Sequence, residues 1–454
     1  MSYKYIPHTT ADIKAMLDAV GVNAVDDLYS DVPREIIFDK EYDIPSEMSE
    51  AEVRRFVGGL AAKNVPMAIF AGAGAYNHYS PAVVNAIIQR GEFLTAYTPY
   101  QAEISQGTLQ YIFEFQSMMS ELTGMACCNA SMYDGATAAA EAMMMCTAAA
   151  KKRNKVLVSA TMPQHVLRVM RTYAFFHGVE LVEVPAVDGA TDLKAVIEAV
   201  KADDVAGVMV AQPNAYGIIE DYTGVADEIH AHKGLFAMYC DPSALAVLKT
   251  PGEWGADIAC GDGQALGMPL NFGGPYVGFL GSTKELVRKL PGRIVGATHD
   301  VDGKRAYVLT LQAREQHIRR EKANSNICSN QSLMALYATI YMSLMGAEGL
   351  KKVNELCYAK AHYLAKALEV TGCFTLAYDK PFLKEFVMKT TLPVATLQQA
   401  LYDNGIFGAI EVAPGEVMFC ATENNTDEEI NKLIEVIKSP VSYTHLTLPT
   451  ICSV

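Results

Sequence analysis

Residues 205–241, VAGVMVAQPNAYGIIEDYTGVADEIHAHKGLFAMYCD, decide the fold class. The apolar run VAGVMVAQ at 205–212 is followed by VADEIHAHKG, whose apolar positions recur at helical spacing and which ends at Gly234, a natural helix stop. A second apolar run, LFAMYC at 235–240, begins at once. Unbroken apolar runs joined by a helix describe parallel strands buried on both faces.

The same texture extends in both directions, through VLVSA at 156–160, VELVEVP at 179–185, ADIAC at 256–260 and YVGFL at 276–280, with DLKAVIEAVKADD as another crossover helix. The expected class is α/β, with a large, mostly parallel sheet domain over residues 61–330. Residues 1–60 read as a polar helical arm, in which Thr10 opens one helix and Ser49 precedes the amphipathic EAEVRRFVGGLAA. Residues 331–438 read as one long helix leading into a small C-terminal α+β domain. The final stretch, 439–454, carries no Lys, Arg, Asp or Glu and reads as a non-native tail.

The chain has 454 residues, 50% hydrophobic and 19% charged, an ordinary globular composition for two or three domains. Its formal charge of −14 has the wrong sign for gripping a nucleic acid backbone. The ten cysteines form neither a small disulfide framework nor a metal-type CxxC pair, so they read as reduced thiols of a cytoplasmic protein. The first residues, MSYKYIPHTTADIKAML, lack the pattern of an export signal, and no apolar run approaches the roughly 20 residues that span a bilayer.

Several segments carry polar groups to the sheet edge. AGAGAY, residues 71–76, lacks the third glycine of a dinucleotide loop, because Asn77 stands there. SMYDGATAAAEAMM, from Ser131, runs a polar turn into an Ala-rich helix whose first N–H groups and Thr137 offer an anion site suited to phosphate; a capped, closely packed helix is the competing reading. Asp241 stands just past LFAMYC, at the carboxyl end of a parallel strand, where a carboxylate can pair with a protonated pyridine nitrogen. A helix N-cap is its competing reading, since Pro242 and Ser243 follow.

The next strand delivers the glycine-rich turn of GDGQALGMPLNFGG to the same edge. A pyridoxal phosphate (PLP) enzyme of this layout carries its Schiff-base lysine there. Gln264 occupies that point, and no lysine occurs between Lys249 and Lys284. Further on, Arg314, His317, Arg319, Arg320 and Lys322 crowd one segment ahead of the turn Asn324-Ser325-Asn326. A solvated helix face is one reading of such a run, and a grip on an anion or a neighbouring chain is the other.

Together YIPHT, GAGAYNHYSPAVVNAI, TAYTPYQAEISQGTLQ, NASMYDGATAAAEA, GADIACGDGQALGMPLNFGGPYVGF and LQAREQHIRREKANSNIC make the chain, over about residues 1–438, resemble subunit 1 of two-chain bacterial glycine decarboxylase, the P-protein of the glycine cleavage system. The resemblance implies a fold-type I PLP-dependent transferase architecture with a seven-stranded sheet. It also implies an oxidoreductase subunit that, with subunit 2, decarboxylates glycine and passes the aminomethyl group to the lipoyl group of H-protein.

PLP is then expected to be held covalently by subunit 2 and not by this chain, in a two-plus-two heterotetramer. The resemblance further implies that Tyr97, Thr98, Tyr100, Gln101, Arg314, His317, Asn324, Ser325 and Asn326 complete the partner's site. Asn324 stands where relatives have threonine, which makes Ser325 the better hydroxyl donor. Thr137, His165, Asp241 and Gln264 are then relics of a vacated cofactor pocket, with packing as the other reading of His165 and Asp241. Two other readings are a self-sufficient PLP enzyme using another lysine and a nonenzymatic scaffold that retains the fold.

Overall fold

The computed structural model describes the chain apart from residues 1–6, 39, 41, 151, 315, 324–326, 328 and 439–454. It divides into one unit up to Val65 and a second from Pro66 onward. In the first unit, helices Thr10–Val20 and Glu50–Ala61 each start with a capping box. Ser49 and Glu52 close one by bonding each other's backbone N–H, and Thr9 and Asp12 close the other, so the first cap sits one residue earlier than expected.

In the second unit a seven-stranded sheet is built from β1 (Cys127–Cys128), β2 (Lys155–Ser159), β3 (Glu180–Val184), β4 (Val205–Gln212), β5 (Leu235–Cys240), β6 (Ile258–Asp262) and β7 (Gly278–Ser282). The order is β1-β7-β6-β5-β4-β2-β3, and only β7 runs antiparallel to its neighbours. Every residue of β4 is buried. Val208 and Val210 face one apolar cluster while Met209 and Ala211 face the other, as a sheet covered on both sides requires.

Three local expectations change. The helix after β4 ends at Ala231, and Lys233 rather than Gly234 takes the left-handed conformation (φ 59°). Gly234 is needed for closeness instead, since a Cβ there would lie 2.9 Å from Ile229 Cγ2. The strands read at 256–260 and 276–280 run two residues later, because Gly261 lets β6 continue past the Cys240 carbonyl, which a Cβ would approach to 2.1 Å.

The long helix, Ser332–Val370, is broken at Gly346 (φ 59°, ψ −177°) into two segments. By length and composition it is apolar enough to cross a bilayer, which the sequence reading missed, yet Leu336, Tyr337 and Tyr341 pack into the protein core.

Beyond this helix a four-stranded antiparallel sheet comprises β8 (Phe374–Leu376), β9 (Glu385–Thr390), β10 (Ile410–Ala413) and β11 (Glu416–Cys420), in the order β8-β9-β11-β10. Residues Ala68–Phe70 pair in parallel with Ile406–Gly408, so this early segment packs with the C-terminal region rather than with the large sheet. That pairing brings the loop at 71–79 and the start of β9 to the carboxyl ends of β4, β5 and β6.

Candidate functional site

At those strand ends lies a cavity of about 500 Å³, lined among others by His165, Arg168, Asp241, Asp262 and Glu385. The structure thus brings His165 and Asp241 to one chamber, with Gln264 in its wall beside the lining residues Tyr76 and Ala265. His165 sits in the first turn of helix Gln164–His177, at the exposed side of the chamber.

Gln264 is 1% exposed, and its amide is fully engaged with backbone. Its Nε2 donates to the carbonyls of Tyr76 and Met268, each at 2.8 Å, while Oε1 accepts the Tyr76 N–H at 2.7 Å. Gln264 therefore ties a distant loop to the turn after β6. The glycines of AGAGAY serve that loop: a Cβ on Gly72 would lie 2.3 Å from Glu385 Oε2, and Gly74 takes φ 101°.

Asp241 forms a buried ion pair with Lys384, Nζ to Oδ2 2.5 Å, and its Oδ1 accepts the Ser243 N–H at 3.0 Å. This Asx turn is not the helix N-cap of the competing reading, because the short 3-10 helix that follows, Ala244–Ala246, has Ser243 as its N-cap with no side-chain bond. The ion pair dominates the electrostatics. Lys384 Nζ also lies 3.0 Å from His78 Nε2 and 3.8 Å from the centre of the Tyr76 ring. His78 Nδ1 meets Glu423 Oε2 at 2.8 Å, and Glu423 Oε1 accepts the Tyr79 N–H at 2.7 Å. Next to this chain, Glu385 accepts from the Tyr76 hydroxyl and from the Ala73 N–H, both at 2.8 Å.

Burial, and then the neighbouring Lys384 charge, lower the His78 pKa, so the imidazole is neutral: it accepts from Lys384 at Nε2 and donates to Glu423 at Nδ1. Burial opposes the charge on Lys384, but Asp241 more than offsets it and holds the ammonium form. His78, Cys357 and Glu423 offer donor atoms within 4.8 Å of one another, a grouping able to hold a metal. The ammonium on the far side of the imidazole disfavours a second cation there.

The helix Gly135–Ala150 corrects the phosphate reading of Thr137. Its N-terminus is filled by the chain's own carboxylates: Thr137 N–H donates to Asp134 Oδ1 at 2.7 Å, and Gly135 N–H donates to Asp262 Oδ2 at 2.9 Å. The Thr137 hydroxyl turns back onto the Asp134 carbonyl at 3.1 Å. The helix is capped, as the competing reading has it.

Asp262 also accepts the Gln264 N–H at 2.9 Å, yet burial pushes its pKa up to about 6. The folded value lies above the unfolded one, so between about pH 4 and 6 the folded chain holds a proton that the unfolded chain has released. This contribution is complete below the unfolded pKa and is lost as pH rises through the folded pKa. Asp262→Asn is expected to remove a stability slope of roughly 2–3 kcal/mol over that window. Urea denaturation from pH 4 to 7 checks it, and a wild-type to variant difference that is constant with pH contradicts it.

The remaining sequence-derived candidates line a different region. Tyr97 and Tyr100 are 76% and 56% exposed; the Tyr97 hydroxyl lies 3.4 Å from Ser329 Oγ, and the Tyr100 hydroxyl accepts from Arg293 at 3.0 Å. Thr98 and Gln101 belong to the same surface loop, and none of the four lines the cavity. Arg314 does not present its charge outward as the gripping reading requires. It braces the Leu290, Gly292 and Leu311 carbonyls, the second at 3.0 Å. The His317 side chain and all of Asn324, Ser325 and Asn326 lie outside the described residues.

Sequence reasoning missed Lys384, Glu385, Glu423 and the roles of His78 and Asp262. Asp262 alone left a local signal, an acid between the two glycines of the turn that carries Gln264.

The family described as glycine cleavage system P-protein matches residues 3–437. A probable glycine dehydrogenase (decarboxylating) subunit 1 of Moorella thermoacetica is 50% identical over 440 residues, covering 96% of this chain and 99% of that protein. One from Carboxydothermus hydrogenoformans is 47% identical over 443 residues, with 96% and 99% covered. The crystal structure of an inhibitor-bound glycine decarboxylase (P-protein) of the glycine cleavage system superposes with a TM-score of 0.88 at 42% identity, covering 96% of this chain and 99% of that one. A Lactobacillus brevis glutamate decarboxylase, at 14% identity and a TM-score of 0.68 over 89% of this chain and 96% of its own, shares the fold.

Proposed function

From the premise that this chain belongs to the glycine cleavage system P-protein family, we propose that it is the subunit 1 half of a two-chain glycine decarboxylase, catalytically incomplete without subunit 2. PLP, held covalently by subunit 2, supplies the electron sink for decarboxylation. The aminomethyl group then passes to the lipoyl group of H-protein. The observation that carries the division of labour is Gln264, whose amide is spent on Tyr76 and Met268 at the point where an imine-forming lysine is required.

The other residues of the cavity do not fit PLP either. Asp241 is already paired with Lys384, and carboxylates cap the helix N-terminus that a phosphate would use. Lys384 does not serve as a substitute imine lysine, because it is held as an ammonium against Asp241. No reaction step is assigned to this chamber.

We assign to subunit 2 the surface around Tyr97, Thr98, Tyr100 and Gln101, continued by Ile104, which is 80% exposed. Exposed aromatic and aliphatic side chains together suit a protein interface. His317 and the turn Asn324–Asn326 are proposed to reach the partner's cofactor, with Arg314 positioning their segment. In the first unit, and as a separate partner surface, helix Glu50–Ala61 presents Val53, Phe56, Val57 and Leu60, exposed and spaced as one helical stripe. A two-plus-two assembly in the cytoplasm completes the reading, supported by cysteines that carry no disulfide among the described residues.

Borohydride reduction of the assembled complex followed by peptide mapping tests the assignment. The pyridoxyl group is expected on subunit 2 alone. Stoichiometric label on a lysine of this chain overturns it.

A further inference from the structure

We infer that Lys384 and Asp262 are this chain's own replacements for the two charges of a pyridoxal-phosphate-type ligand, so that the cavity is neutralised from within and closed to one. The inference rests on the reading above of that cavity as a cofactor-type site, and it names the residues that shut it.

On the cationic side, Asp241 stands at the end of β5, where its carboxylate suits a protonated pyridine. Lys384, from the residue before β9, takes that role at 2.5 Å. The ammonium is solvated by the protein itself, with the Asp241 carboxylate, the neutral His78 imidazole and the Tyr76 ring face around it. A pyridinium at Asp241 must displace it or sit beside it. Like charges about 4 Å apart in a protein weaken binding by on the order of a hundredfold or more.

On the anionic side, the positive end of helix Gly135–Ala150 faces Asp262 and Asp134, which accept the Gly135 and Thr137 N–H groups. A phosphate arriving there meets engaged donors and two carboxylates in place of a free nest. Gln264, between the two poles, is bonded to Tyr76 and Met268. Anion, cation and bridging amide therefore all come from the chain. The chamber stays formed without a ligand, and the Asp241–Lys384 pair fastens β5 of the large sheet to the start of β9.

Loss of the lysine is thus only part of what excludes the ligand, and restoring it is insufficient. The test uses the full chain alone, with pyridoxal 5′-phosphate as probe, and reads absorbance titration followed by borohydride reduction and peptide mapping. Wild type is expected to show no saturable uptake and no label at Lys384. Gln264→Lys alone is expected to bind at least about a hundredfold more weakly than Gln264→Lys/Lys384→Met, which takes label at position 264. Where that variant does not fold, Gln264→Lys/Lys384→Gln, which keeps a neutral donor beside Asp241 and leaves its carboxylate for the pyridinium, is read in its place.

Equal uptake by Q264K and the multiple variant overturns the inference, as does stoichiometric labelling of Lys384 in wild type. Equal uptake leaves the assignment of the cofactor to subunit 2 intact. Failure of subunit 2 to carry label in the assembled complex defeats that assignment without altering the order of the variants.

Discussion

Replacing Lys384 by methionine destabilises the folded chain by about 3–5 kcal/mol, the usual cost of removing one partner of a buried ion pair. Lys384 and Asp241 side chains are 2% and 8% exposed, so the carboxylate left behind has little water to turn to. Its remaining protein donor is the Ser243 N–H at 3.0 Å. His78 loses its Nε2 partner as well. Replacing both charges, Lys384→Met with Asp241→Leu, is expected to recover most of the loss, because an apolar pair carries no desolvation penalty. Urea denaturation of the two single variants and the double variant measures the coupling. Additive losses contradict the pairing.

Gln264→Leu is the second large effect. Leucine has a similar volume, but it leaves the Tyr76 N–H and the Met268 carbonyl without their side-chain partner in a buried place, while the Tyr76 carbonyl keeps the His78 N–H at 3.0 Å. At about 1–3 kcal/mol for each of these two groups, and with some relief from relaxation of the loop, the loss is about 2–4 kcal/mol. The loop at 71–79 then releases Glu385 and Glu423 from the Ala73 and Tyr79 N–H groups. Limited proteolysis near residue 75 is expected to accelerate along with the loss of stability. A variant within 1 kcal/mol of wild type and equally resistant to protease contradicts the role given to the amide.

The sheet was legible because its signal is local. The apolar runs at 205–212 and 235–240 coincide residue for residue with β4 and β5, since an element buried on both faces must be apolar throughout. Cys127–Cys128 escaped notice as a strand because two residues carry no periodicity. The break at Gly346 escaped because the apolar pattern continues across it.

In the site, the position of Gln264 followed from counting a strand and a turn, and Asp241 from its place at a strand end. Their partners did not follow. Lys384 and Tyr76 come from segments remote in sequence, joined to the site through the pairing of Ala68–Phe70 with Ile406–Gly408. Nothing in the local pattern of KPFLKEFVMKT marks Lys384 as the buried cation. Arg314 misled for the same reason, because a run of basic residues does not say which of them turns inward onto carbonyls.

The most direct measurement is glycine-dependent carbon dioxide exchange with lipoylated H-protein, run with this chain alone, with subunit 2 alone and with the two mixed. Activity in the mixture alone is the predicted result, marking the chain as an essential half of a composite enzyme. Full activity from subunit 2 alone would reduce this chain to a scaffold, and activity from this chain alone would contradict the reading of Gln264 and Lys384.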